Sequence, residues 1–131
     1  MSITENKELV LGFFNDLGKG RIQEALDRMA EDLRFTLIGT TGFSGVCKSR
    51  KEFVDRILAP LGARLEGPLT ITTENLITEG DFVVAQSHGR STTRKGGAYD
   101  NTYCHVFRIA DGKIREVTEY LDTELITRAL G

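Results

Sequence analysis

Tyr99-Asp100-Asn101-Thr102-Tyr103-Cys104-His105-Val106-Phe107-Arg108-Ile109-Ala110-Asp111-Gly112-Lys113-Ile114-Arg115-Glu116-Val117-Thr118-Glu119-Tyr120-Leu121-Asp122 reads as two long strands joined at Asp-Gly. β-Branched and aromatic residues dominate both arms, and Asp-Gly between alternating apolar residues is a strong hairpin signal. The register decides which side chains share a face, because a one-residue slip sends every side chain to the opposite side. A two-residue turn at Asp111-Gly112 pairs Ile109 with Ile114 and sets Glu119 beside Cys104. A three-residue loop, Ala110-Asp111-Gly112 with Gly112 left-handed, pairs Ile109 with Lys113 and puts Glu119 directly opposite Tyr103. Tyr103, His105 and Phe107 then share a face with Arg115, Val117, Glu119 and Leu121. The apolar character around Phe107 and Val117 favours this bulged register.

Working back from the hairpin, Phe82 to Thr93 is the preceding strand, its even positions reading Phe82, Val84, Gln86, His88, Arg90 and Thr92. The odd positions Val83, Ala85, Ser87, Gly89 and Ser91 are small enough to lie under another layer. Leu69, Ile71, Thr73, Leu76 and Ile77 form an earlier strand with an irregularity near Glu74-Asn75. The N-terminal half has helical periodicity instead. Ser2-Ile3-Thr4-Glu5 is a capping box that opens a helix carrying Leu9, Val10, Phe13, Phe14 and Leu17. A second helix runs from about Ile22 to Met29, followed by a strand over Leu33–Ile38 and a flexible loop over Gly39–Gly45. Ser49-Arg50-Lys51-Glu52 opens a third helix, which Pro60 brings to an end. Asp122 caps a last short helix over Thr123–Leu130.

With 131 residues the chain is expected to be one domain spanning 1–131, large enough for a real core. Seventeen basic against 19 acidic residues, with no basic stripe, argue against nucleic-acid binding. No apolar run has transmembrane length, and the N-terminus lacks the apolar core of a signal peptide, so a cytoplasmic protein without membrane contact is expected. Cys47 and Cys104 lack metal-ligand spacing and read as free thiols. No metal and no cofactor is expected.

Helices first and strands after define an α+β protein with its helices on one face of a curved, mostly antiparallel sheet. This order, with Val106-Phe107-Arg108-Ile109-Ala110-Asp111-Gly112-Lys113-Ile114 and then Glu119-Tyr120-Leu121-Asp122, resembles the nuclear transport factor 2-like superfamily. Within it the chain is similar to the SnoaL-like, ketosteroid-isomerase-like and limonene-epoxide-hydrolase-like proteins. The resemblance implies a cone-shaped sheet wrapped around three N-terminal helices (a cystatin-like α+β barrel) that encloses a cavity. It also implies how much known chemistry carries over. The tyrosine, base aspartate and protonated aspartate of ketosteroid isomerases fall at Phe13, Leu37 and His105. The catalytic aspartate, arginine and aspartate of limonene-epoxide hydrolases fall at Glu119, Gln86 and His88, and their water-orienting tyrosine and asparagine at Phe35 and Leu37. Only the carboxylate at Glu119 keeps its chemical type.

The residues then suggest their own constellation. Glu119, His88, His105 and Tyr103 are the candidate catalytic set. Glu119 would orient His88 or a water, His88 would accept the proton, and Tyr103 or His105 would donate to a developing oxyanion. Phe13, Phe35, Leu37, Phe53, Phe107, Val117 and Leu121 would supply an apolar wall for a small hydrophobic molecule, with Gln86 and Arg90 as polar contacts. Structural roles stand beside these: a hydrogen-bonded sheet histidine, an ion pair from Glu119 to Arg90 or Arg115, and Tyr99, Asp100 and Asn101 at the rim. Two function classes follow. One is an acid–base enzyme of isomerase, cyclase or epoxide-hydrolase type, and the other a non-catalytic binding or association module. Cys104, Val106, Thr118 and Tyr120 fall on the outer sheet face, where a homodimer contact is expected.

Overall fold

Ser2 opens the first helix as its sequence requires. In the computed structural model, which describes residues 2–131, its hydroxyl accepts from the Glu5 N–H while the Glu5 carboxylate accepts from the Ser2 N–H. Helix α1 (Ile3–Gly18) thus starts with both backbone donors satisfied, and buries Val10, Phe13 and Phe14 along one stripe. Gly20, at φ 73°, turns the chain into α2 (Ile22–Asp27). This helix ends two residues short of the expected Met29, and strand β1 (Met29–Leu37) begins there instead of at Leu33. The cause is tertiary: Met29 is buried and pairs with Ile114, and the Ile114 N–H donates to the Arg28 carbonyl. Sheet pairing overrides helical periodicity at this point.

A short β2 (Gly45–Cys47) pairs with β1 at the end of the stretch read as a loop. Ser49 caps α3 (Arg50–Phe53), which runs through a π-helical turn, Val54–Leu58, into α4 (Ala59–Arg64). Pro60 does not end the helix. It sits in the first turn of α4, where no N–H is required of it, and the wide turn before it lets the Ala59 N–H reach the Val54 carbonyl.

Strands β3 (Thr70–Glu79), β4 (Phe82–Thr92), β5 (Ala98–Ala110) and β6 (Lys113–Leu121) follow, and then helix α5 (Thr123–Leu130), capped by Asp122. The single sheet has the order β2-β1-β6-β5-β4-β3, and every neighbouring pair is antiparallel except β1–β6. The irregularity anticipated near Glu74-Asn75 is a register shift between Thr73 and Asn75. The inner face of the sheet closes on α1 and α3 around a core that includes Phe13, Phe35, Phe53, Phe107 and Val117. A second cluster of Leu65, Tyr99, Ile126 and Leu130 seals the end covered by α5. Both cysteines are free thiols. Among the described residues no helix is long and apolar enough to cross a membrane.

The decisive hairpin corrects the expected register. Its turn is the two-residue Asp111-Gly112, both left-handed at φ 54° and 72°, so Ala110 pairs with Lys113 and Ile109 with Ile114. Two successive positive φ values define the type I′ turn that matches strand twist. The extra residue lies one step further in, between the Ile109–Ile114 and Arg108–Glu116 pairs, and is Arg115. Arg115 turns away to Asp32 and Asp111. Parity is therefore as expected for Val117, Glu119 and Leu121, but the partners are displaced by two: Glu119 faces His105, and Leu121 faces Tyr103.

Candidate active site

Strand β5 builds the site by simple alternation. Tyr99, Asn101, Tyr103, His105, Phe107 and Ile109 are all buried, and every intervening residue is more exposed. The row through His105 continues across the sheet as Ala85, His105, Glu119 and Leu37. The small Ala85 beside His105 leaves room for the imidazole. Phe14 from α1 packs over that ring at 5.3 Å between centroids. Tyr103 stacks on one side of it at 5.3 Å and Phe107 on the other at 5.7 Å.

Glu119 and His105 form a buried dyad. Glu119 Oε2 lies 2.9 Å from His105 Nε2, and the two side chains are 13% and 6% exposed. A carboxylate in such surroundings is tolerated because it is hydrogen-bonded and paired. It can only accept, so the nitrogen facing it carries the proton. Nδ1, the other ring nitrogen, is buried and has no partner among the described residues. With Nε2 facing the carboxylate, Nδ1 is the ring nitrogen left to exchange a proton with whatever enters beside it.

Next to the dyad lies a chain of hydroxyl and amide groups. The Tyr103 and Tyr99 hydroxyls are 2.9 Å apart, and Asn101 Nδ2 donates to the Tyr99 hydroxyl at 3.0 Å. Burial raises both phenols above the ordinary range, Tyr103 by far the more, and the nearby Glu119 charge acts in the same direction. Both are neutral donors at physiological pH. Tyr99 and Asn101 are inside the protein and not at the rim, as their parity with Tyr103 and His105 on β5 already indicated.

Tyr103, His105 and Glu119 thus come together, as do the seven apolar wall residues Phe13, Phe35, Leu37, Phe53, Phe107, Val117 and Leu121, which border one cavity. His88, Gln86 and Arg90 do not join them. They occupy the outward positions of β4, with His88 half exposed and paired to Glu74, and Gln86 hydrogen-bonded to Asn75. The small odd-numbered residues of β4 face inward because the cone is narrow there: a Cβ on Gly89 would stand 2.6 Å from the Tyr103 ring. Glu119 is held by His105, not by Arg90 or Arg115. No group of three or more His, Cys, Asp or Glu side chains is placed to hold a metal among the described residues.

The inner cavity is small, about 70 Å³. Outside it, between the end of α1, the π-helical turn, α4 and the start of β3, lies an apolar groove of about 510 Å³. Leu17, Leu58, Leu61 and Leu69 border both spaces and form the wall between them.

Comparison with known proteins accords with this architecture. The family model of the SnoaL-like domain matches residues 10–117. The chain belongs to the SnoaL-like family. Its solved structural neighbours share the cone. An NTF2-like protein from Burkholderia thailandensis is 22% identical, with a TM-score of 0.83 over 96% of this chain and 97% of that one. TerC, co-crystallised with polyporic acid, is 21% identical, with a TM-score of 0.83 over 96% of this chain and 98% of that one. An LEH-like epoxide hydrolase from M. tuberculosis is 17% identical, with a TM-score of 0.78 over 97% of this chain and 90% of that one. At such identities the likeness establishes the fold. No curated protein matches the sequence.

Proposed function

We propose that this SnoaL-like domain is an enzyme that performs general acid–base chemistry on an apolar small molecule, with His105 as the base. The observation that carries this reading is the bare Nδ1 of His105: a buried, unpartnered ring nitrogen on a residue that borders the cavity, with a carboxylate bonded to the opposite nitrogen. Proton uptake at Nδ1 creates an imidazolium that Glu119 stabilises at 2.9 Å. The neutral Tyr103 hydroxyl supplies the hydrogen bond to the oxygen that gains charge. Together these groups suit removal of a proton beside a carbonyl, the step that isomerases and cyclases share. Epoxide opening by an activated water needs the same base.

The two volumes divide the work. A pocket of about 70 Å³ is far below the roughly 300–1,000 Å³ of usual ligand sites, so it holds the reacting end only. The apolar groove beyond the leucine wall suits the body of the molecule, and rotation of Leu58 or Leu61 joins the two spaces. The same small volume also favours the second reading, a binding or association module with a filled cone.

The test is hydrogen exchange. Wild-type protein in deuterated water is expected to speed deuteration of the α-carbon in at least one of a panel of apolar ketones, followed by proton NMR. His105→Gln should return the rate to that of buffer. A protein that binds the ketones yet leaves exchange at the buffer rate overturns the catalytic reading in favour of the module.

A further inference from the structure

Two spaces meet at the leucine wall, and their sizes set what can pass. The inner cavity holds about 70 Å³, whereas a dry protein cavity that takes up one benzene measures about 150 Å³. Even a single aromatic ring is therefore too large for the space beside His105. The groove outside, at about 510 Å³, falls within the roughly 300–1,000 Å³ range of ligand sites. Leu17, Leu58, Leu61 and Leu69 belong to both linings. Ile57 is buried in the core, and Leu58, which follows it at the end of the π-helical turn, is only half-buried. Leu58 begins a stripe that continues three and four residues on, at Leu61 and Gly62 of α4, and all three line the groove. Gly62 matters by what it lacks: a Cβ there would meet no atom within 4 Å. Apart from Glu66 and Arg94, no side chain of the groove lining carries a polar group.

We propose that the groove holds an unbranched aliphatic chain, and that Leu58 is a specificity-determining residue that passes such a chain to His105 and excludes rings. Turning one leucine side chain aside opens a passage about as wide as that side chain, which suits a single file of methylenes. The lining offers the chain apolar surface and almost nothing to hydrogen-bond, so its burial is the driving force. The ligand class is thus an alkyl chain with a slender reacting end, and not a ring system seated inside the cone. This deepens the proposed function by naming the substrate class. It rests on that reading for the arrival of the reacting end at His105, but not for turnover.

The test pairs methyl hexyl ketone with methyl phenyl ketone, which carry the same number of carbons as a chain and as a ring. Protein labelled with ¹⁵N in histidine reports arrival at the dyad by NMR. His105 borders the cavity, and His88, on the outer face of the sheet, is an internal reference. In the wild type the hexyl ketone is expected to move the His105 ring resonances and leave those of His88 in place, while the phenyl ketone moves neither. Along the methyl ketones from propyl to hexyl, Kd read from His105 should fall about fourfold per added CH₂, the weight of burying one. Gly62→Leu places a side chain in the groove and should remove most of that gain with the fold intact, since leucine is the better helix former. Leu58→Ala should let the phenyl ketone move His105, a gain that simple loss of structure would not produce.

The proposal is overturned if the hexyl ketone leaves His105 of the wild type in place, if the phenyl ketone moves it equally, or if Kd does not depend on chain length. Gly62→Leu with the full chain-length gain, or Leu58→Ala that still excludes the phenyl ketone, refutes it as well. Should Leu58→Ala fail to fold, the wild-type pair and the chain-length series still decide. Because the readout is binding, a hexyl ketone that moves His105 without α-deuteration leaves this inference standing and removes only the catalytic reading.

Discussion

Glu119 stands directly across the β5–β6 ladder from His105, its carboxylate oxygen 2.9 Å from Nε2. This one pair links fold to chemistry. It exists because the hairpin carries one extra residue, Arg115, beyond its two-residue turn. Without that bulge Glu119 would stand beside Cys104, its side chain on the outer face of the sheet, and the imidazole would be buried without a carboxylate.

Replacing Glu119 by Gln separates charge from shape. The Gln carbonyl still accepts from Nε2–H, so packing survives and the charge that stabilises an imidazolium is gone. Ketone deuteration is expected to fall by about 10²- to 10³-fold, within the usual weight of general acid–base catalysis. Stability should fall by only about 1 kcal/mol, the difference between a charged and a neutral hydrogen bond. For a chain of this size that is a Tm decrease of about 4 °C. Rate measurements alongside thermal unfolding check both. An unchanged rate with a large drop in Tm would assign Glu119 a purely structural role.

Alkaline pH should weaken the fold through its buried phenols. Tyr99 and Tyr103 both have raised pKa values in the folded protein, burial being the first cause. In the unfolded chain a phenol titrates near 10. Folded protein therefore holds more protons than unfolded above that pH, and stability must fall as pH rises. The contribution is complete below about pH 10 and is lost above it. Urea midpoints measured from pH 8 to 11 should decline, with less decline in Tyr103→Phe. The absorbance of phenolate from these two rings should appear only together with unfolding, and its appearance in the folded state would contradict the burial argument.

Much of this was legible in the sequence, for identifiable reasons. Ser2 with Glu5, Ser49 and Asp122 marked helix starts because capping chemistry is local. The inward facing of the wall residues from Phe13 to Leu121 followed from period and parity, and the cavity they border followed from the family resemblance. The outward placement of His88, Gln86 and Arg90 was harder, because both faces of β4 carry residues compatible with a lining. What decides is steric: Gly89 and its small neighbours must lie inside, where the Tyr103 ring leaves no room. The position of the bulge was not legible either. Ile109 and Ile114 are both buried, so the core takes the pair that a two-residue turn offers, and the extra residue moves to Arg115. Tyr99 and Asn101 carried a usable signal, their shared parity with Tyr103 and His105.

Gly89 should be intolerant of any side chain. A Cβ at this position would meet Tyr103 Cε2 at 2.6 Å and Leu69 Cδ1 at 3.2 Å. Tyr103 has little freedom to yield, since its hydroxyl is bonded to Tyr99 and its ring stacks on His105. Gly89→Ala is expected to destabilise by about 1–3 kcal/mol, the range for overpacking a core. It should also displace the Tyr103 hydroxyl, so ketone deuteration slows as the fold weakens. A Gly89→Ala protein with wild-type Tm and a wild-type deuteration rate would refute the contact.

The outer face of the sheet is the last surface to account for, and we propose that it joins two copies of the chain. Ile77, Val84, Val106, Thr118 and Thr36 form one row across five strands, each paired with the next. Tyr120 and Cys104 lie in the adjoining row, and Ile77, Phe82 and Tyr120 are among the large apolar side chains left exposed. The chain's own helices cover the opposite face and leave this row outward among the described residues. Bounding it are polar pairs, Arg108 with Glu116 on one side and His88 with Glu74 on the other, an arrangement of apolar centre and polar rim that suits a two-fold contact. Sedimentation at micromolar concentration should show a dimer. Val106→Arg places a charge at the centre of the row, where self-association would bury two like charges, and should give monomers with an unchanged far-ultraviolet circular dichroism spectrum. A wild type that sediments only as monomer would rule the interface out.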